Sequence, residues 1–299
     1  MRPIRFISAD RAGVVNNDFD EGETVMRGPT ILARSMSIAT RRGKSPRAWQ
    51  YHSRSDSHSK IACWTLLFDL LLECDAVRDA AKQGRLGFGI NHLMVGPINK
   101  TLDMVLTVVP PSRAIARRKT FAEMVDTHEI ALDDADRLAL AALPILYTDR
   151  KDDISEVAVA VEAKACMTKH ISAIPRLFAE ILATGYLAKR AAPRCISVSY
   201  ALINAAPTFV SPSGKKKVTR HNQPEDTRRV VQMISQAIPT ASDSRDCGYD
   251  VTGTTVIDCR NDGSPVTVVR GDPAPANNDR TNYERMMRSL CSEFRGRRF

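Results

Sequence analysis

The sequence predicts an α/β fold in which a central mixed β-sheet is flanked by helices. Two short apolar runs meet at a turn and predict a β-hairpin. A third run, Val157 to Val161, has no polar face, as is typical of a strand buried at the centre of a sheet. A helix and another apolar strand follow it, and strand–helix–strand order indicates a crossover within one mixed sheet.

The first predicted core helix begins at Ser57 or Ser59 and continues to about Gln83. A wide apolar stripe that includes Trp64 supports it, and Gly84 ends it. The hairpin then covers residues 86–95 and 102–109, which are separated by a Gly-Pro-Ile-Asn turn signal.

The second half of the predicted core begins after Pro110-Pro111, where two helices form an insertion before the central strand. Pro175 fits the first turn of the crossover helix, which reaches about Lys189 before Pro193 breaks it. The remaining predicted elements are a possible helix at 30–39, insertion helices at 113–126 and 134–143, a strand at 195–203, a helix at 224–237, a possible hairpin around 261–263 and a helix from 282.

Composition divides the chain into three predicted regions. Residues 1–59 are rich in Gly, Asn, Ser and Arg and are predicted to form a basic N-terminal arm. Residues 60–205 form the predicted core, with the helical insertion at 110–156. Residues 206–299 are predicted to be an accessory C-terminal part that packs on the core.

Cysteine usage and hydropathy favour a cytoplasmic protein. The seven cysteines include no C-x-x-C pair, which argues against a zinc site and a disulfide framework and predicts reduced, mostly buried thiols. No apolar run approaches the roughly 20 residues that cross a bilayer, so no membrane association is predicted. Neither a phosphate-binding P-loop nor a G-x-S-x-G nucleophile motif occurs.

The net charge of +9 favours nucleic acid as the partner, because the positive residues lie in four bunches. Each bunch alone is equally well explained as a solvated surface. Together they favour phosphate binding. The candidate DNA-binding residues are Arg41, Arg42, Lys44, Arg47, Arg54, Lys169, His170, Lys215, Lys216, Lys217 and Arg220.

Three charged residues interrupt apolar strands and are the candidate catalytic group. Glu162 and Lys164 share one face of the central strand, and Asp103 lies within a hairpin strand. If the two strands are neighbours, Asp103 and Glu162 face one another at about 5 Å. Two carboxylates at that distance repel unless a cation lies between them, and Mg²⁺ prefers such oxygen ligands. Alternatively, Lys164 bridges to Asp103 while Glu162 is solvated.

Asp103 followed by Glu162-Ala163-Lys164 resembles the PD-(D/E)XK nuclease superfamily, in particular type II restriction endonucleases, over roughly residues 60–205. The resemblance implies a restriction-endonuclease-like core in which Asp103 and Glu162 bind Mg²⁺ and Lys164 positions the attacking water. Glu73 best matches a supporting carboxylate. It further implies a homodimer, encoded by a prokaryote or a phage, that cleaves double-stranded DNA at a short specific sequence.

The sequence departs from this family pattern in two ways. Leu102 stands where the motif has Pro, and the 58 residues between Asp103 and Glu162 require the helical insertion. Two alternatives remain open: a phage or repair nuclease acting on branched or modified DNA, and a nucleic-acid-binding protein of similar fold that cuts nothing.

Overall fold

A computed structural model of the protein describes residues 25–41, 47–94, 99–109, 118–149, 156–212, 218–237, 248–297 and 299. Within these residues the helices are α1 (Gly28–Ser37), α2 (Ser57–Glu73), α3 (Asp75–Lys82), α4 (Met124–Thr127), α5 (Asp134–Ala141), α6 (His170–Ala191), α7 (Glu225–Gln236) and α8 (Tyr283–Arg297). The strands are β1 (Thr40–Arg41), β2 (Ala48–Trp49), β3 (Leu86–Met94), β4 (Lys100–Val108), β5 (Glu156–Cys166), β6 (Ile196–Asn204), β7 (Thr208–Val210), β8 (Val218–Arg220), β9 (Val251–Asp258) and β10 (Thr267–Val269).

The central sheet has six strands in the order β10-β9-β6-β5-β4-β3. The hairpin β3–β4 continues antiparallel into β5, and α6 then carries the chain to β6, which is parallel to β5. β9 is parallel to β6, and β10 is antiparallel to β9. The predicted α/β class with a central mixed sheet is therefore confirmed.

Helices cover both faces of this sheet and form two apolar cores. On one face, α1, α2, α3 and α8 pack over the strands, and Trp64 and Phe68 are fully buried there. On the other face, α6 and α7 enclose a smaller core that contains Ile181 and Val230. The sheet is thus covered on both sides, which leaves the ends of its strands as the places where polar side chains can meet.

The helix boundaries differ from the predicted ones at two places. Cys74 is extended (φ −110°, ψ 101°), so the single helix predicted to reach Gln83 is two helices, α2 and α3. Pro175 lies inside α6 rather than in its first turn, because α6 begins at His170. Residues 110–117, which include the start of one predicted insertion helix, lie outside the described residues.

The predicted boundaries at residues 59 and 205 do not coincide with breaks in the core. The α1 side chains Ile31 and Leu32 are fully buried in the same core as α2, although they fall in the predicted arm. Phe121, from the predicted insertion, stacks on Trp64 at a ring-centroid distance of 4.6 Å. β9 pairs with β6 across residue 205.

Cys74 and Cys291 form a disulfide that joins the end of α2 to α8. For this pair the prediction of reduced thiols is wrong. The other cysteines among the described residues, Cys63, Cys166, Cys195 and Cys259, are buried thiols, as predicted.

The sequence predicts no segment long and apolar enough to cross a bilayer, but α6 meets both criteria. Its 22 residues are by those two criteria enough to span a membrane. One such helix is weak evidence, because core helices of soluble proteins meet the same criteria.

Candidate active site

Asp103 and Glu162 lie side by side where the β4–β5 ladder ends. The last paired residues at this end of the ladder are Met104 and Val161, so the next position on each strand carries a carboxylate. The backbone N–H of Ala163 donates a hydrogen bond to Asp103 Oδ2 at 2.8 Å. The two carboxylates and Lys164 therefore meet at one place, although 58 residues separate Asp103 from Glu162.

The Glu162 carboxylate is buried and held from one side by two lysines. Lys164 Nζ lies 2.6 Å from Glu162 Oε1, and Lys100 Nζ lies 2.9 Å from the same oxygen. The other oxygen, Oε2, is buried and has no hydrogen-bond partner among the described residues. A buried carboxylate oxygen without a partner is costly, so its retention needs an explanation.

Burial sets the protonation behaviour of this group. Desolvation, reinforced by the charge of Glu162, raises the pKa of Asp103 to about 6, and the hydrogen bond from Ala163 opposes the rise. For Lys164, burial acts to lower the pKa, but the Glu162 charge and hydrogen bond outweigh it and hold the pKa above its usual value. Lys164 therefore stays charged at neutral pH.

These residues form the floor of an open cleft of about 670 Å³. One wall comes from the segment leading into α2, including Tyr51 and Arg54, and the opposite wall comes from α6, with Arg176 and Glu180. Glu180 also contacts Lys164, at 3.5 Å, and pairs with Arg176 at 3.1 Å. The cleft is open to solvent, so a charged ligand can reach the carboxylates at its floor.

The residues at the cleft floor suit a hard divalent cation. Asp103 and Glu162 supply carboxylate oxygens, and Glu162 Oε2 is a buried acceptor that no described residue satisfies. No group of three or more His, Cys, Asp and Glu side chains suited to a metal occurs among the described residues. A cation bound here would have two carboxylates and several water molecules as ligands, which is the coordination typical of Mg²⁺.

Glu73, predicted as a supporting carboxylate, lies at the wrong end of α2. The first turn of α2 faces the cleft, where Ser59 is beside Asp103. Glu73 is the last residue of the helix, about 21 Å from Ser59 along the axis at 1.5 Å per residue. The assignment of Glu73 to the site is therefore wrong.

His170 is likewise not available to bind a phosphate. It is 1 % exposed, and its Nε2 pairs with the carbonyl oxygen of Asn204 at 2.7 Å. Burial also lowers its pKa, which favours the neutral ring. The prediction of His170 as a DNA-binding residue is wrong because the side chain packs inside the protein.

The remaining DNA-binding candidates are distributed unevenly around the cleft. Arg54 lines it, whereas Arg41, Arg47, Lys169 and Arg220 are exposed on other parts of the surface. The other candidates lie outside the described residues: Arg42, Lys44, Lys215, Lys216 and Lys217. Contact of all these residues with DNA stays a prediction.

Four further residues of the cleft are less clearly marked in the sequence. Lys100 directly follows the Gly-Pro-Ile-Asn turn signal, where a lysine is ordinarily solvated. Arg176 and Glu180 are spaced i, i+4 on α6, a spacing that is typical of an ion pair on a helix surface. Asn91 interrupts β3 opposite Asp103, has a positive φ of 55°, and donates to Asp56 Oδ2 at 2.8 Å. A polar residue within an apolar strand, the signal that marked Asp103, also marks Asn91.

Fold and site together define the class: an α/β protein with a buried glutamate, a half-buried aspartate and two lysines where two strands of a mixed sheet separate. Comparisons of the chain with protein-family models, with curated proteins and with solved structures find no significant match. The function is therefore inferred from the side chains of the cleft.

Proposed function

We propose that this protein is a Mg²⁺-dependent endonuclease of the type II restriction kind, which hydrolyses phosphodiester bonds of double-stranded DNA at a short specific sequence. The observation that carries the proposal is the meeting of Asp103, Glu162 and Lys164 in one open cleft, with Glu162 Oε2 buried and unpaired. These are the residues that the resemblance to PD-(D/E)XK nucleases implies.

Each of the three side chains has a distinct proposed role. Asp103 and Glu162 would hold the Mg²⁺ ion through their carboxylate oxygens. When bound, Mg²⁺ supplies positive charge that neutralises a phosphate and favours an attacking hydroxide. Lys164, fixed between Glu162 and Glu180, orients the attacking water toward the phosphorus. Holding water and phosphate in line is the main task in phosphoryl transfer.

The charge of the cleft suits an anionic substrate only together with a cation. Four acidic and four basic side chains line it among the described residues, so their charges cancel: Asp56, Asp103, Glu162 and Glu180 against Arg54, Lys100, Lys164 and Arg176. A divalent ion makes the lining net positive. Arg54 and Arg176, on opposite walls, are then placed to contact backbone phosphates.

The proposal is tested by incubating the purified protein with phage DNA and Mg²⁺ and sequencing the fragment ends. We expect discrete ends at a recurring sequence. E162Q and K164M should reduce cleavage at least 100-fold while DNA binding survives. E73Q is the matched control, and we expect its cleavage rate to equal that of the wild type because Glu73 lies remote from the cleft.

Three outcomes would contradict the proposal in different ways. Cleavage only of junction or modified substrates would favour the branched-DNA nuclease. DNA binding without cleavage under any divalent metal would favour the non-catalytic binding protein. Unchanged cleavage by E162Q would remove the assigned site altogether.

We also propose that the protein acts as a homodimer through α6. This helix presents an apolar stripe to solvent, formed by Ile171, Phe178, Leu182 and Tyr186. These positions share one helix face. A stripe without charges is self-complementary and suits a twofold contact with a second copy. The cytoplasmic location and the prokaryotic or phage source remain proposals from the sequence.

A further inference from the structure

The two lysines at Glu162 are not equivalent. Lys164 contacts two carboxylates, Glu162 at 2.6 Å and Glu180 at 3.5 Å. Lys100 has one ion pair among the described residues, with Glu162. The Lys100 side chain is also the more exposed of the two, at 29 % against 20 %. Lys100 is therefore the less firmly held cation.

The position of Lys100 in the sheet gives it freedom to leave Glu162. It is the first residue of β4 and pairs with Met94 on β3, beyond the point where β4 separates from β5. Its side chain crosses this gap from the rim of the cleft to reach Glu162. A rotation about its own side-chain bonds would turn the ammonium into the open cleft without moving the strand.

A divalent cation and Lys100 would compete for the same carboxylate. Three acidic and three basic side chains meet around Glu162, so their charges cancel: Asp103, Glu162 and Glu180 against Lys100, Lys164 and Arg176. A divalent ion adds two positive charges within a few ångströms of both ammonium groups, and like charges repel strongly at that range in a partly buried site. The less firmly held cation is the one that yields.

We propose that Lys100 exchanges with the divalent cation: it neutralises Glu162 until the metal displaces it, and its released ammonium then binds a DNA phosphate in the cleft. This inference rests on the proposed nuclease function, and it concerns a residue outside the motif that supports that function. Lys100 thereby couples metal binding to substrate binding at one carboxylate.

The test is a titration of DNA-free protein with Mn²⁺. Binding is measured as the loss of the electron paramagnetic resonance signal of the free ion. Because K100M removes a competing charge, we expect it to bind Mn²⁺ at least threefold more tightly than the wild type. K100R should restore the weaker binding. K60M is the matched control, since Lys60 is equally exposed, at 29 %, and pairs with Asp56 at the cleft rim rather than with Glu162. Its Mn²⁺ affinity should stay unchanged.

Cleavage kinetics supply the second readout. K100M should raise KM for DNA at least fivefold while kcat at saturating Mg²⁺ changes less than threefold. If the wild type binds Mn²⁺ and cleaves DNA but K100M binds Mn²⁺ equally or more weakly, the proposed role of Lys100 is wrong. The proposed nuclease function is not affected by that result. A wild type that neither binds Mn²⁺ nor cleaves overturns both.

Discussion

Asp69 shows how one buried side chain can make the stability of this protein depend on pH. Its carboxylate accepts hydrogen bonds from the backbone N–H groups of Arg27 and Gly28 and from the Tyr283 hydroxyl. It thereby joins α2 to the first residues of α1 and α8. Desolvation by burial outweighs these bonds and raises the pKa of Asp69 to about 7.

We expect the free energy of unfolding to carry a penalty from Asp69 that grows between about pH 4 and pH 7. An acid with a raised pKa binds its proton more tightly in the folded state. The contribution of Asp69 to the free energy of unfolding is therefore fully present below its unfolded pKa, and it is lost as the pH rises through its folded pKa. The shift from 3.8 to about 7 sets an upper limit of about 4 kcal/mol.

The measurement is urea unfolding of wild type and D69N from pH 4 to pH 8. D69N cannot ionise, so its stability relative to the wild type should increase up to pH 7 and then level off. D79N, at an exposed aspartate of α3, is the matched Asp-to-Asn substitution at a site without this burial. A difference between D69N and the wild type that is flat with pH would show that Asp69 does not titrate in this range.

Also at the residue scale, the sequence could identify Asp103, Glu162 and Lys164 because charges inside apolar strands are costly and therefore visible. It could not place Glu73 or His170. Whether a residue on a helix or loop faces a cleft depends on where the helix begins and what packs over it, and neither is local information. Lys100 could not be assigned to the site for a similar reason, since a lysine beside a turn signal is ordinarily a solvated residue.

At the scale of elements, the hairpin, the central strand and the strand–helix–strand crossover could be predicted, because apolar periodicity and turn residues specify them locally. The break at Cys74 could not be predicted, since both α2 and α3 are well suited to helix and no Pro or Gly separates them. The burial of α1 could not be predicted either, because it depends on contacts with α2 and β10, which lie further along the chain.

The exposed stripe of α6 is the element from which we expect dimerisation. L182D places a charge at the middle of the stripe, and burying a charge against an apolar partner is strongly unfavourable. We expect sedimentation equilibrium to give a dimer for the wild type and at least 100-fold weaker association for L182D. L138D is the matched control, since Leu138 on α5 is an exposed leucine outside the stripe.

Two results would count against α6 as a dimer contact. One is a wild type that stays monomeric at about 100 μM, a concentration at which weak specific dimers still associate. The other is L182D associating as tightly as the wild type. Flotation of the wild type with anionic lipid vesicles, lost in L182D, would assign the stripe to a membrane surface instead.

At the scale of the whole molecule, the net charge of +9 predicts salt-sensitive DNA binding. Each phosphate neutralised by a lysine or arginine releases counterions, so the affinity of a protein that makes several such contacts falls steeply with salt. We expect the dissociation constant of E162Q for a labelled duplex, measured by fluorescence anisotropy, to rise at least tenfold between 50 and 200 mM KCl. E162Q is used because it should bind without cutting.

The variant R54Q separates cleft contacts from contacts elsewhere on the surface. Arg54 lines the cleft, so its loss should lower the slope of log affinity against log salt by about one, whatever the DNA sequence. R220Q changes an exposed arginine that lies outside the cleft lining, on β8, and it tests the predicted basic region around residues 215–220 in the same way. A response that is flat with salt would contradict all three candidate functions, because each of them requires the positive charges of this chain to meet phosphates.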